Sequence, residues 1–215
     1  MRGILAVVAL CLSWAPSPLT ADRIADFTGG IPRNWQRHSF AGLTRYEQVP
    51  DEDGRLVLRA TARGSASALG GRLRVRAADR PVIRWRWKAE RLPAGGDETI
   101  RSLDDVAARL LLVFHESWRP SQVKAIGYVW GNTLTPGQVT DSPYSANVKI
   151  VAVESGRNAP GVWKVEERDY AADYQRFFGE PADLLLGVSI MTDGDNTRSV
   201  AVAYYDYIEL DGPRR

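Results

Sequence analysis

The residue best placed to build a polar site is an arginine in an apolar segment. Arg109 is the only charged residue of the run 106–114, and Asp104 and Asp105 come directly before that run. Strand alternation puts Arg109 on the same face as Leu111, which predicts a partly buried guanidinium. Such a group needs a carboxylate partner, and its planar fork suits one. The sequence therefore predicts either an ion pair that fixes the preceding loop or a ligand site built around Arg109.

A second group of oxygen-bearing side chains follows the apolar run 184–191. Asp193, Asp195 and Asn196 offer hard oxygens at a spacing typical of calcium ligands, although the same residues also occur in plain tight turns. Central strands of a sandwich tend to be neighbours, so we expect this turn and Asp206 to lie near Arg109. The predicted ligand-binding residues are Asp105, Arg109, Trp130, Glu154, Asp193, Asp195 and Asn196, with Trp130 at the rim.

No catalytic residue is predicted. Glycoside hydrolysis needs two carboxyl groups facing each other across a sugar, and Glu154 stands alone in its segment. His38 and His115 are far apart in the chain, and Ser155 is not in a Gly-x-Ser-x-Gly turn. A hydrolase or lyase acting on a polysaccharide remains the alternative function.

The elements that would position these groups are mostly strands. A period of two, with Gly, Pro, Asp and Asn between segments, predicts about nine or ten strands. One short helix is predicted near 170–178, after Asp169 and before Gly179. Many short strands with little helix indicate an all-β, antiparallel jelly-roll sandwich.

The first 21 residues have the pattern of a secretory signal peptide. Arg2 precedes an apolar run at 4–12, which is too short to span a bilayer, and Ala21 is the expected cleavage point. This predicts one β-sandwich domain over residues 22–215, located in the periplasm or secreted. Cys11 is the only cysteine, so that domain has no disulfide or thiolate metal site.

Charge and hydropathy exclude two classes of partner. The chain has 28 basic and 26 acidic residues, a balance that does not favour nucleic acid. No later apolar run reaches transmembrane length. The cations alternate on two segments, 72–76 and 84–88, and if these segments pair they would form one basic face. That face would be either a solvated surface or a contact for an anionic envelope polymer.

A series of short motifs extends along nearly all of the predicted domain. They are Trp85-Arg-Trp87, Asp104-Asp-Val-Ala-Ala-Arg109, Ile126-Gly-Tyr-Val-Trp130, Val153-Glu-Ser-Gly156, Arg168-Asp169, Ile190-Met-Thr-Asp193, Asp195-Asn-Thr197 and Ala203-Tyr-Tyr-Asp206. In their order and spacing they resemble a bacterial exported family known as domain of unknown function 3047. The resemblance implies export and no particular activity.

A weaker resemblance, at the level of the fold, is to galactose-binding-like jelly rolls, which include many carbohydrate-binding modules. The opening phrase Asp26-Phe-Thr-Gly29 with Trp35, and the closing phrase Tyr205-Asp-Tyr-Ile208, are similar to theirs. The resemblance implies that the first and last strands lie side by side, with Asp26 and Asp206 close together around a structural calcium ion.

These observations favour an exported, non-catalytic protein that binds a glycan or another cell-envelope component. A polysaccharide-acting enzyme on the same fold is the first alternative. A structural or interaction protein without a small ligand is the second, and a groove lined by aromatic and carboxylate side chains would argue against it.

Overall fold

The computed structural model describes residues 21–117, 119, 122–156 and 161–213, so the predicted signal peptide lies outside it except for Ala21. The strands are β1 (Asp22–Asp26), β2 (Trp35–Ala41), β3 (Arg45–Pro50), β4 (Leu56–Arg63), β5 (Ala66–Arg76), β6 (Val82–Arg91), β7 (Ala108–His115), β8 (Lys124–Gly131), β9 (Val139–Ser142), β10 (Ser145–Ser155), β11 (Lys164–Asp169), β12 (Leu184–Asp193) and β13 (Val200–Asp211). The helix α1 spans Tyr170–Phe178, and short 3-10 turns span Phe27–Gly29 and Arg101–Leu103. No helix in the described ranges is long and apolar enough to cross a membrane.

The strands form two sheets that face each other. The first sheet has the order β11-β6-β13-β4-β3, and β1 pairs with β13 beyond the end of β4. The second sheet has the order β2-β5-β12-β7-β8-β10-β9. The predicted sandwich is confirmed, and among the described strands the one departure from antiparallel order is the parallel pair of β8 and β10. The predicted pairing of the first and last strands is also observed.

Alternation along the strands fills the space between the sheets with large aromatic side chains. Trp85 and Trp87 enter from β6 of the first sheet, while Tyr128 and Trp130 enter from β8 of the second. Trp85 stacks on Tyr128 at a centroid distance of 5.3 Å, and Trp87 meets Trp130 at 6.3 Å. Each of these four side chains is at most 1% exposed. This core fixes which residues of the second sheet face outward.

The helix α1 begins and ends as the sequence predicts. The Asp169 carboxylate accepts the Ala172 amide at the start, and Gly179 adopts a left-handed conformation at the end. Asp173 in the first turn accepts three hydrogen bonds from Arg168, one from Nε and two from Nη2, and one from the buried Tyr128 hydroxyl. The helix is thereby anchored to the core between the sheets.

The two basic segments, 72–76 and 84–88, do not pair, so the single basic face that their pairing would create does not form. The segment 72–76 belongs to β5 in the second sheet, whereas 84–88 belongs to β6 in the first sheet. The cations of β6 are also neutralised, since Arg84 pairs with Glu167 and Glu209. The physical reason is that each strand pairs with a partner distant in sequence, β5 with β12 and β6 with β13.

Candidate functional site

A groove runs along the outer face of the second sheet. One cavity of about 450 Å³ and another of about 340 Å³ lie over β5, β12 and β7, and they share Phe40, Ala68, Leu111 and Ser189. Together they follow β12 from Gly187 to Asp193, which is a distance of about 20 Å at the usual rise of a strand. The size is that of a ligand site, and the length suits an extended chain.

Small side chains form the floor of this groove. Ala68 and Gly70 of β5 lie beside Gly187 and Ser189 of β12. A Cβ atom at Gly187 would lie 3.6 Å from the Gly71 carbonyl oxygen and 3.7 Å from the Val113 Cβ, which are ordinary contacts. The groove therefore exists because large side chains are missing here, and a larger residue at Gly187 would fill it.

Arg109 lies at one end of the groove, on the outward face of β7, and shares this face with Leu111 as alternation predicts. Its Nη2 donates to Asp104 Oδ1 at 2.8 Å, and the two side chains are only 11% and 2% exposed. Burial alone would lower the pKa of Arg109, but Asp104 and Asp193 raise it. Burial raises the pKa of Asp104, and Arg109 opposes that shift. Arg109 is thus held as a cation in contact with one carboxylate.

Asp193 lies beside this pair at the end of β12. Its Oδ1 accepts the Val106 amide at 2.7 Å, and the residue is 2% exposed. Burial raises the pKa of Asp193 to about 8, with Arg109 opposing the shift and Asp104 adding to it. At neutral pH this carboxyl group is therefore mainly protonated, which makes it a hydrogen-bond donor as well as an acceptor.

Asp105 holds the turn that follows Asp193. Its two oxygens accept the amides of Asn196 and Thr197 at 3.1 and 2.7 Å, and the Thr197 hydroxyl at 2.6 Å. Carboxylate oxygens of Asp105, Asp193 and Asp195 all lie within 4.8 Å of one another. Burial raises the pKa of Asp195, and the neighbouring Asp105 adds to the rise. The structure thus brings Asp105, Asp193, Asp195 and Asn196 together at the Arg109 end of the groove.

Two exposed aromatic side chains border the same end. Phe40 of β2 is 62% exposed, and Tyr144, in the turn between β9 and β10, is 52% exposed. The Tyr144 hydroxyl donates to the Arg101 carbonyl oxygen at 3.2 Å and accepts from Asn196 Nδ2 at 3.3 Å. Exposed rings of this kind offer flat apolar surfaces to a ligand.

Two predicted site residues lie elsewhere. Trp130 is not at the rim, because it shares its inward strand face with Tyr128, is 1% exposed and donates to the Gly156 carbonyl oxygen. Glu154 pairs with Lys164 at 3.2 Å and lies near Glu166, whose pKa is raised by burial and by Glu154. Neither residue lines the groove.

Asp206 is also absent from the Arg109 site, because β13 belongs to the first sheet. It is buried on the outer side of that sheet, where Arg86 Nη1 donates to its Oδ2 at 2.6 Å and Arg55 Nη2 lies 2.9 Å from its Oδ1, outside hydrogen-bond geometry. Asp26 instead accepts from Thr28 and pairs with Arg23 at 3.2 Å. Arginine therefore compensates both carboxylates, and a calcium ion shared by Asp26 and Asp206 stays a prediction that none of these contacts supports.

Sequence reasoning did not find Phe40, Gly187, Ser189 or Ala68 as groove residues. Phe40, Gly187 and Ser189 belong to no common sequence motif. The glycine and the serine look like ordinary strand residues until the register of β12 with its neighbours is known. Phe40 lies in a segment, 35–41, that has few apolar residues and was not assigned to a strand.

Solved structures with a similar fold include carbohydrate-binding modules. The family 11 module from Clostridium thermocellum, solved with a β-1,3-1,4-mixed-linked tetrasaccharide, has a TM-score of 0.50 and 14% identity, over 91% of this chain and 98% of that one. The family 11 module of the cellulase Lic26A-Cel5E of Clostridium thermocellum has a TM-score of 0.48 and 13% identity, over 92% and 97%. The K1 cleaved adhesin domain of Lys-gingipain from Porphyromonas gingivalis has a TM-score of 0.41 and 12% identity, over 91% and 99%.

At these identities the likeness to solved structures concerns the fold. No curated protein matches the chain at a significant level. A family model described as "Protein of unknown function (DUF3047)" matches residues 33–209, and the chain therefore belongs to that family.

Proposed function

We propose that this protein binds a glycan, without catalysis, in the groove on the outer face of the second sheet. The observation that carries the proposal is the combination of an open, small-residue floor with a polar end and two exposed rings. A sugar chain presents apolar ring faces and many hydroxyl groups. Phe40 and Tyr144 would contact the ring faces, and Arg109 and Asp195 would exchange hydrogen bonds with the hydroxyls.

The groove favours this function over the two alternatives from the sequence. A structural protein without a ligand would be expected to fill or cover such a groove. A glycosidase needs two free carboxyl groups about 5 Å or more apart on either side of a sugar. Asp105 and Asp193 are instead buried and bonded to backbone amides, at 0% and 2% exposure.

We further propose that the protein is exported to the periplasm or beyond the cell. The support is the signal-peptide pattern of residues 1–21. Mass analysis of the N-terminus in periplasmic and cytosolic fractions tests this, with a mature start at or near Asp22 as the expected result. An uncleaved chain confined to the cytosol would contradict export.

Glycan binding is tested with a substitution that fills the groove and preserves the fold. Gly187→Leu adds a side chain over the floor with ordinary contacts at its Cβ. We expect it to weaken binding at least about tenfold, a free-energy loss of about 1.4 kcal/mol, and to change stability by about 1 kcal/mol or less. Calorimetric titration would start with the β-1,3-1,4-mixed-linked tetrasaccharide and continue over neutral glucans, galactans and mannans.

The matched control enlarges an exposed apolar residue on the outer face of the first sheet. Val165→Leu changes a side chain that is 57% exposed and far from the groove, and it should bind like the wild type. Equal binding by Gly187→Leu and wild type would place the ligand elsewhere. Absence of binding to every glycan by the wild type would contradict the proposed function.

A further inference from the structure

The Arg109 end of the groove carries an excess of acidic groups. Four aspartates surround one arginine here: Asp104, Asp105, Asp193 and Asp195 around Arg109. Asp193 is mainly protonated at neutral pH, so three acidic side chains remain against one cation. Arg109 already pairs with Asp104, so its charge is largely used within the protein. Hydrogen bonds from neutral amides hold Asp105 but do not cancel its formal charge.

The remaining cations of the groove do not offset this excess. The guanidinium of Arg101 lies 4.9 Å from the centre of the Tyr144 ring and does not line either cavity. At the opposite end of the groove, Arg72 Nη2 pairs with Glu116 at 3.0 Å. A ligand in the groove therefore meets a balanced end and an acidic end.

The acidic end also offers hydrogen-bond acceptors to a ligand. The Asp195 carboxylate lines the cavity and can accept hydrogen bonds from hydroxyl groups. A hydroxyl group donates to it without adding charge, whereas a carboxylate, sulfate or phosphate has no proton to donate at neutral pH and would bring a negative charge among the aspartates.

We propose that this groove accepts neutral sugar units at its Arg109 end and rejects uronic, sulfated and phosphorylated ones. The inference rests on the proposed glycan function and specifies its ligand class. It runs against the anionic envelope polymer considered from the sequence. The reason is electrostatic complementarity: like charges placed together in a partly buried site oppose binding and thereby set specificity.

The experiment compares two forms of one polymer that differ in charge. Mixed-linkage β-glucan and the same glucan oxidised at C6 to uronic acids are titrated into the wild-type protein at low and at high salt. We expect the oxidised form to bind at least about tenfold more weakly at low salt, with part of the difference lost at high salt because salt screens exposed charges. Corresponding neutral and oxidised pairs of galactan and mannan extend the test.

A variant that removes one charge tests whether the preference for the neutral glycan depends on the Arg109 end of the groove. Asp195→Asn should reduce the preference for the neutral form, while Glu52→Gln, an exposed residue away from the groove, should leave it unchanged. Equal or tighter binding of the oxidised form by the wild type would overturn the charge selection but leave glycan binding intact. A preference for the neutral form that changes neither with salt nor with Asp195→Asn would also overturn the charge selection. Loss of the C6 hydroxyl group, and not the added charge, would then explain the weaker binding. Failure of both forms of every pair to bind would overturn the proposed function and this inference together.

Discussion

The outer faces of the two sheets differ in how their polar and aromatic side chains are arranged. On the first sheet, charged and aromatic side chains satisfy each other: Lys88 Nζ pairs with Asp51 at 2.6 Å and lies 4.9 Å and 4.6 Å from the ring centres of Trp163 and Tyr204. On the second sheet, the equivalent face has a glycine and alanine floor bordered by exposed rings. The first face is therefore covered by its own ion pairs and rings, and the second is left open along a groove.

The difference shows where polar residues support stability and where they support binding. A polar group whose partners all come from the protein contributes to the folded state. A polar group that lines an open cavity is a candidate for recognition. Changes on the two faces should thus separate in their effects on unfolding and on affinity.

The largest effect is expected from Lys88→Ala on the closed face. Burial alone would raise the pKa of Asp51, but hydrogen bonds from Lys88 and Trp163 lower it. Removing Lys88 leaves Asp51, which is only 8% exposed, without its cation. We expect a loss of about 3–5 kcal/mol in the free energy of unfolding, measured by urea denaturation, with unchanged glycan affinity under folding conditions. A loss of affinity without a loss of stability would reverse the roles of the two faces.

A smaller, pH-dependent effect is expected from Asp193→Asn on the open face. Burial raises the folded-state pKa of Asp193 from its ordinary value of 3.8 to about 8, so the native protein keeps a proton that the unfolded chain releases. The contribution of the Asp193 side chain to the free energy of unfolding is therefore greatest below pH 4 and declines as the pH rises to about 8. Asparagine cannot ionise, so the variant should gain on the order of 1–3 kcal/mol over wild type across that range.

Denaturation of both proteins at several pH values measures this difference, with Glu52→Gln as an exposed control. The control should follow the wild type at every pH. A variant that becomes steadily less stable than wild type as pH rises would mean that ionised Asp193 stabilises the fold through Arg109, contrary to this account.

The smallest effects are expected at the two exposed rings. Phe40→Ala and Tyr144→Ala should each weaken glycan binding about three- to tenfold, the usual contribution of one aromatic contact. Stability should change by about 0.5 kcal/mol or less, as at most exposed positions. Val165→Ala, on the other outer face, is the matched control for both measurements. Loss of binding in the control alone would place the ligand on the first sheet.

The sequence predicted local features well. The helix α1 follows from Asp169 and Gly179, which are visible one residue at a time. Alternation on β7 put Arg109 and Leu111 on one face, and both residues line the groove. The pairing of β1 with β13 was expected from a resemblance of the two end phrases to known jelly rolls, and the register confirms it.

Features that depend on distant pairing could not be predicted in this way. Alternation shows that Tyr128 and Trp130 share a face, but not that this face is the inner one, so Trp130 was placed at a rim. The basic segments of β5 and β6 follow each other in sequence, yet each pairs with a strand more than 100 residues later. The groove floor arises only when Gly70 and Ser189 become neighbours across that pairing.

The most direct test of the central claim is to map the ligand contact on the wild-type protein by NMR. Amide chemical shifts are followed during titration with the neutral oligosaccharide that binds best. The account predicts that the perturbed amides cluster on β5, β7 and β12 between Gly187 and Asp193, together with Phe40 and Tyr144. Perturbations concentrated around Lys88, Trp163 and Tyr204, on the outer face of the first sheet, would contradict it.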